Sequence, residues 1–84
     1  MVAAPDDLHE RLLTLSAQTL EVAPSELTAA ALLNDDLGID SLAAIEWGMT
    51  IEDAFGVVIP EDAWVDVTTY GAVEDLVRQQ LAAA

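Results

Sequence analysis

The sequence contains no cysteine and no lysine, and Arg11 and Arg78 are its only arginines. Without cysteine, the protein forms no disulfide and supplies no thiolate of its own. Nucleic-acid binding through phosphate neutralisation needs lysine and arginine, so the near-absence of both excludes it. The sequence also lacks any apolar run of about 18 residues, so we expect no membrane-spanning helix.

The first seven residues lack both the basic region and the long apolar region of a signal peptide. We therefore expect a cytoplasmic protein. A chain of 84 residues is the length of one domain, which we assign to residues 1–84. Its start at Met1 and its short tails favour a stand-alone protein over a piece of a larger synthase, and we expect a monomer.

The charge is strongly one-sided, with 16 acidic residues and a formal net charge of −14. A surface of this sign attracts basic partners and speeds their association. The alternative interpretation is that the acidity serves solubility alone. The apolar fraction of 54% is enough for one compact core and argues against intrinsic disorder.

The hydrophobic periodicity predicts an all-α fold with three longer helices, one short helix and a long first loop. The helices are placed at 6–21, 41–55, about 60–66 and about 70–82. We expect Asp6 or Asp7 to cap the first helix, Pro60 to open the short one, and Thr68 or Thr69 to cap the last. The terminal alanines are expected to fray.

Leucines supply most of the expected core contacts outside the second helix. Leu8, Leu12 and Leu15 form a stripe on the first helix, and the stripe on the last helix ends at Leu81. The loop over 22–40 is expected to be held to the core by Leu27, Leu32 and Leu33.

The second helix carries two apolar stripes, of which its own core needs only one. Trp47, Ile51 and Phe55 repeat at core spacing, and the neighbouring face carries Leu42, Ile45 and Met49. We interpret the second stripe as an exposed contact surface. The alternative is a helix that is more buried than average.

Ser41 lies at the first turn of this helix, next to Asp40, the expected N-cap. A catalytic serine needs a base, and the single histidine, His9, lies at the start of another helix without a nucleophile-elbow motif. The twelve residues 35–46 begin and end with an acid like a calcium loop, but their sixth position is Asp40 where such a loop needs glycine. We therefore expect neither catalysis nor a dedicated metal site.

The segment Asp36–Leu42, DLGIDSL, resembles the phosphopantetheine attachment motif of acyl carrier proteins. The likeness continues in Ile51–Asp62 and in Val73–Val77, and it covers roughly residues 8–81. The resemblance implies a four-helix bundle that carries acyl groups as thioesters on a 4′-phosphopantetheine arm attached to Ser41. It also explains the missing cysteine, because the arm brings its own thiol.

The resemblance further implies a non-catalytic shuttle among fatty-acid or polyketide enzymes. Its partners would be a Mg²⁺-dependent phosphopantetheinyl transferase, which takes the arm from coenzyme A, and a ketosynthase, an acyltransferase and other enzymes with basic docking patches. The residues implied for partner contact are Leu42, Ile45, Glu46, Met49, Glu52 and Asp53, together with Asp40 beside the attachment serine.

Two departures from the family pattern bear on the cargo and the partners. Ala43 and Ala44 stand where many relatives carry an acid or a hydroxyl, so contacts there are expected to be weaker or different. Trp47 and Trp64 are bulkier than the usual residues and, if they point inward, would fill volume that shelters a fatty chain. We therefore lean towards polyketide-like or other specialised cargo.

Two other functions remain open from the sequence. A peptidyl or aminoacyl carrier usually shows glycine and not aspartate before its serine, in the pattern Leu-Gly-Gly-x-Ser, and on this ground we expect Asp40 to argue against it. An acidic interaction module without any prosthetic group is the second alternative.

Overall fold

In the computed structural model, which describes residues 5–83, the chain folds into three α-helices joined by two long connections. The helices are α1 (Pro5–Leu20), α2 (Ser41–Phe55) and α3 (Tyr70–Ala83). A three-residue 3₁₀ turn, Pro24–Glu26, lies in the first connection, and a 3₁₀ helix, Glu61–Trp64, which we call the short helix, lies in the second. The predicted all-α fold is confirmed, with the short helix as its fourth member.

The helix boundaries follow the local signals closely at α2 and less closely elsewhere. The predicted capping of α1 by Asp6 or Asp7 is wrong, because the helix has already begun at Pro5. Proline is favoured in a first turn, where its missing N–H costs nothing. At its other end α1 stops at Leu20, one residue early, because Glu21 takes a left-handed φ of 57°.

The later boundaries also shift slightly. Pro60 is the residue before the short helix and not its first residue. Thr69 caps α3, since its Oγ1 accepts the N–H of Ala72 at 3.2 Å. The helix continues to Ala83, so Ala82 and Ala83 are helical where fraying was expected, and Ala84 lies outside the described residues.

The core is centred on Trp47 of α2, which is fully buried. Its indole Nε1 donates a hydrogen bond to the buried Ser16 Oγ of α1 at 2.9 Å. The ring lies parallel to that of Tyr70, with centroids 6.2 Å apart, and tilted against that of Trp64 at the same separation. One side chain thus connects α1, α3 and the short helix.

Around Trp47 pack the residues that the periodicity assigned to the core. The fully buried ones are Leu12 of α1, Ile51 of α2, and Val73 and Val77 of α3. Two expectations were wrong: Leu32 and Leu81 are 39% and 37% exposed. Leu81 lies in the last turns of α3, beyond the packed part of the helix. The apolar spacing along α3 therefore continues past the end of the core.

The first connection is fastened to the start of α3 by backbone hydrogen bonds. Leu33 N–H donates to the Thr68 carbonyl and Tyr70 N–H to the Ala31 carbonyl, both at 3.0 Å. Gly71 N–H donates to the Ala29 carbonyl, and a Cβ at position 71 would lie only 2.9 Å from that oxygen. Glycine therefore permits the loop to approach the helix this closely.

Arg11 and His9 of α1 make contacts across seams between helices. The Arg11 guanidinium of α1 lies 4.7 Å from the ring centroid of Phe55 in α2 and donates to the Ala54 carbonyl. Such a cation–π contact is worth about 0.5–1 kcal/mol at an exposed site. Across the other seam, Glu74 of α3 is hydrogen-bonded to His9 of α1, with Nδ1 and Oε1 2.6 Å apart.

Glu74 also accepts a hydrogen bond from Arg78 at 3.1 Å, which forms an i, i+4 ion pair within α3. Burial alone would raise the pKa of Glu74, but the hydrogen bonds from His9 and Arg78 outweigh it and lower the pKa. The carboxylate therefore stays ionised at neutral pH. No helix within residues 5–83 is long and apolar enough to cross a membrane.

Replacing Ser16 with alanine tests the central hydrogen bond. The variant leaves the Trp47 N–H buried and unpaired, which should lower the free energy of unfolding by about 1–3 kcal/mol. Thr14→Ala removes an exposed hydroxyl from the same helix and should change it by less than about 0.5 kcal/mol. Urea denaturation of both variants measures the difference, and equal losses would show that the Ser16–Trp47 bond contributes nothing.

Candidate functional site

The loop before α2 is a hydrogen-bonded turn. Asp36 Oδ2 accepts the N–H of Leu32 at 2.8 Å, and the Leu32 carbonyl accepts the N–H of Asp36 at 3.0 Å. Ile39 N–H donates to the Leu33 carbonyl at 2.9 Å, and the Ile39 side chain is buried in the core. The segment is therefore anchored at both ends.

Between these anchors the chain reverses at Gly38, whose φ of 65° suits glycine far better than a residue with a side chain. Asp40 follows in an extended conformation, and its Oδ1 accepts the N–H of Ala43 at 2.8 Å. The predicted N-cap is thus present. Ser41 is the first residue of α2, and its side chain is exposed to solvent.

The two stripes of α2 separate as expected. Trp47 and Ile51 are fully buried, whereas Leu42, Ile45 and Met49 are 65%, 61% and 59% exposed. Leu42, Ile45 and Met49 thus form a group of exposed apolar side chains on the solvent-facing side of the helix. We call Leu42, Ile45, Met49 and the exposed acids beside them, Glu46 and Asp53, the α2 face.

Glu52 differs from the other acids of α2. It is half-buried, and its Oε2 accepts the backbone N–H of Ile59 at 2.8 Å. The carboxylate therefore holds the extended link Val57–Ile59 against the helix. In that link Val57 and Ile59 are buried and Val58 is 76% exposed, as expected for an extended segment with alternating sides.

A cavity of about 730 Å³ opens beside Ser41. It lies between α2, the turn before it and the short helix, and its lining includes Ile45, Met49, Ile59, Trp64 and Val67. This is within the usual size range of small-molecule sites, about 300–1,000 Å³. Trp47 also borders the cavity, and because its side chain has no exposed surface, the cavity ends at the indole.

The surroundings of Ser41 offer no arrangement for nucleophilic catalysis. His9, the single histidine, is hydrogen-bonded to Glu74 and is not among the residues that line the cavity. Asp40 uses one carboxylate oxygen to cap the helix. An exposed hydroxyl at the N-terminus of a helix is instead a favourable place for an ester-linked phosphate, because free N–H groups and the helix dipole both stabilise an anion.

Comparison with known proteins agrees with this geometry. The family model described as "Phosphopantetheine attachment site" matches residues 10–77. The chain belongs to the acyl carrier protein family. An acyl carrier protein of Guillardia theta is 35% identical over 77 residues, which cover 92% of this chain and 95% of that protein. An acyl carrier protein of Amoebophilus asiaticus (strain 5a2) is 34% identical over 76 residues, which cover 90% of this chain and 95% of that protein.

The protein is therefore a non-catalytic carrier, and its prosthetic group is 4′-phosphopantetheine. When bound, that group supplies the thiol that forms the thioester. The chain has no cysteine and therefore no thiol of its own. The residues present fit such a group: the exposed Ser41 hydroxyl offers an attachment point, and the adjoining cavity offers apolar surface for what the arm bears.

Three contacts that build this carrier's site were not foreseen from the sequence. They are the carboxylate bonds of Asp36 and Glu52 to backbone N–H groups and the bond of Ser16 to Trp47. Asp36 had a local signal, since short acids in turns often accept backbone N–H groups nearby. Glu52 and Ser16 bond to residues 7 and 31 positions away, and no periodicity marks such pairs.

Two substitutions at Asp40 separate its cap from its charge. Asp40→Ala removes the acceptor for the Ala43 N–H and should lower the free energy of unfolding by about 1 kcal/mol. Asp40→Asn should lose much less, because asparagine caps helices as well as aspartate does. Urea denaturation of both variants tests this, and an Asn variant as unstable as the Ala variant would assign the stabilisation to charge.

Proposed function

We propose that Ser41 is the residue to which the 4′-phosphopantetheine arm is attached. The observation that supports this most is its position: an exposed hydroxyl at the first residue of α2, on an anchored turn, at the edge of a cavity. In the transfer, the Ser41 oxygen forms a bond to the pantetheine phosphate while the pyrophosphate bond of coenzyme A breaks. The adenosine bisphosphate leaves, and the hydroxyl proton passes to a base of the transferase.

We further propose that the α2 face is where this carrier meets its enzymes. A phosphopantetheinyl transferase and acyl-processing enzymes are the partners of the family in general; a ketosynthase and an acyltransferase are the specific candidates here. Leu42, Ile45 and Met49 supply apolar contact, and Glu46 and Asp53 attract basic docking patches. Glu52 contributes less to recognition than the sequence suggested, because its carboxylate already binds Ile59 N–H.

The cargo we propose is a polyketide or another specialised acyl intermediate and not a long fatty chain. The centre of the bundle is filled by Trp47, which has no exposed surface. Leu12, Ile51 and Val77 are fully buried in the same core. A long chain that entered this centre would have to displace these side chains, whereas a short or compact group needs only the cavity beside Ser41.

A peptidyl or aminoacyl carrier and an acidic module without a prosthetic group are less well supported. Against the first stands Ile39, whose side chain is buried in the core at the position where the pattern Leu-Gly-Gly-x-Ser has its second glycine. Against the second stands the family match over residues 10–77, a model of a phosphopantetheine attachment site.

The attachment is tested by incubating the protein with coenzyme A, Mg²⁺ and a broad-specificity phosphopantetheinyl transferase. Intact-mass measurement should show one phosphopantetheine adduct on the wild type and none on Ser41→Ala. Ser25→Ala, which alters an exposed serine in the first 3₁₀ turn, is the control and should be modified like the wild type. An adduct that survives Ser41→Ala would place the arm elsewhere.

The docking face is tested by charge reversal at two exposed glutamates. Glu46→Lys changes the α2 face, and Glu10→Lys makes the same charge change on α1. We expect Glu46→Lys to lower kcat/KM for the transferase by about tenfold, since local steering charges alter association rates by about that much or more. Glu10→Lys should have a much smaller effect. Equal losses would mean that net charge matters and that the α2 face does not.

A further inference from the structure

The cavity beside Ser41 has an aromatic wall, formed by Trp64 of the short helix. We propose that Trp64 makes this cavity selective for acyl groups that carry a flat aromatic ring over saturated groups of the same size. This inference rests on the proposed function, in which the arm on Ser41 brings the acyl group to the cavity. The choice of cargo then depends on the Trp64 side chain.

Trp64 is the tryptophan that cargo can touch. Trp47 also borders the cavity, but it is fully buried, and its ring centroid lies 6.2 Å from those of both Tyr70 and Trp64. Trp64 is only half-buried, so part of its indole remains open to a ligand. Its other contacts hold it in place, with its ring centroid 6.2 Å from that of Trp47.

Gly48 of α2 fixes where the Trp64 ring lies. A Cβ at position 48 would be 3.2 Å from Cζ2 of Trp64, closer than an ordinary van der Waals contact. Because glycine has no side chain, the six-membered part of the indole rests directly against the backbone of α2. The ring is thus supported by Gly48 on the helix and by Trp47 below, and it offers the cavity a fixed surface.

The remaining lining also suits a compact aromatic ring. Met49 is 59% exposed, and its flexible thioether makes favourable contacts with ring edges. Ile59 and Val67 add apolar surface from the link and from the segment before α3. A saturated ring is stabilised by these groups only through the apolar surface that it buries. Two aromatic rings in contact gain more free energy than their buried area predicts.

The test compares phenylacetyl and cyclohexylacetyl groups, which have the same number of carbon atoms and place the ring one carbon from the thioester. The transferase loads each from its coenzyme A thioester, and intact mass confirms loading at Ser41. Hydroxylamine then cleaves the thioester, and each rate is divided by that of the same acyl-pantetheine in solution. We expect the phenylacetyl group to be protected about two- to tenfold more than the cyclohexylacetyl group.

Trp64→Leu should abolish this difference, because leucine keeps an apolar wall but removes the ring. Val65→Ala, at an exposed neighbour that does not line the cavity, should preserve it. In the wild type, nuclear Overhauser effects should connect the phenyl protons with the Trp64 indole, a result that does not depend on how the variants fold.

Equal protection of the two groups in the wild type, or the absence of those nuclear Overhauser effects, would overturn the inference and leave the carrier function intact. A difference that persists in a folded Trp64→Leu variant would also overturn it. Failure to load either group at Ser41 would instead overturn the proposed attachment, and this inference with it; the mass spectrum shows that outcome before any cleavage rate is compared.

Discussion

The fold depends on the burial of one large side chain, Trp47, whose polar atom has a single well-placed partner. A buried indole N–H without a hydrogen bond costs about 1–3 kcal/mol, and Ser16 removes that cost at 2.9 Å. The bond joins α2 to α1, and the stacked Tyr70 joins both to α3. In a chain of 84 residues with a net charge of −14, such a centre opposes the electrostatic repulsion that weakens the compact state.

Tyr70 shows how tightly this centre is closed. Its hydroxyl is buried and makes no hydrogen bond of good geometry to any residue in the described range 5–83. Burial raises the pKa of Tyr70 to about 12, against a smaller opposing effect of Ser16. The phenol therefore stays neutral, and a chain that entered this centre would have to displace aromatic rings. Under the proposed function, cargo is therefore held in the cavity beside Ser41.

The sequence predicted α2 and its two stripes because every signal there is local. Asp40 caps the helix, Gly56 ends it in a left-handed conformation, and the apolar spacing fits one helix throughout. The start of α1 was missed because Asp6, Asp7 and Pro5 compete as start signals over three positions. Leu81 was assigned to the core because periodicity continues past the point where a helix has a neighbour.

The sequence predicted the parts of the site in which a residue interacts with backbone close to it in the chain. Asp40 was predicted as the N-cap of α2 and Ser41 as a residue of its first turn, and the helix begins accordingly. The cavity was not predicted, because it arises where α2 and the short helix meet, and the distance between two helices leaves no pattern in either. The contact of Trp64 with Gly48 joins residues 16 positions apart and depends on the absence of a side chain.

The α2 face and the cavity share side chains, and this links the two halves of the proposed function. Ile45 and Met49 are exposed on the face and also line the cavity beside Ser41. A partner that covers them therefore covers part of the cavity rim, and cargo that packs against them changes the surface that a partner meets. Because such coupling is reciprocal, a partner that prefers the carrier with its cargo outside the cavity shifts the equilibrium of cargo burial by the same factor as its preference in affinity.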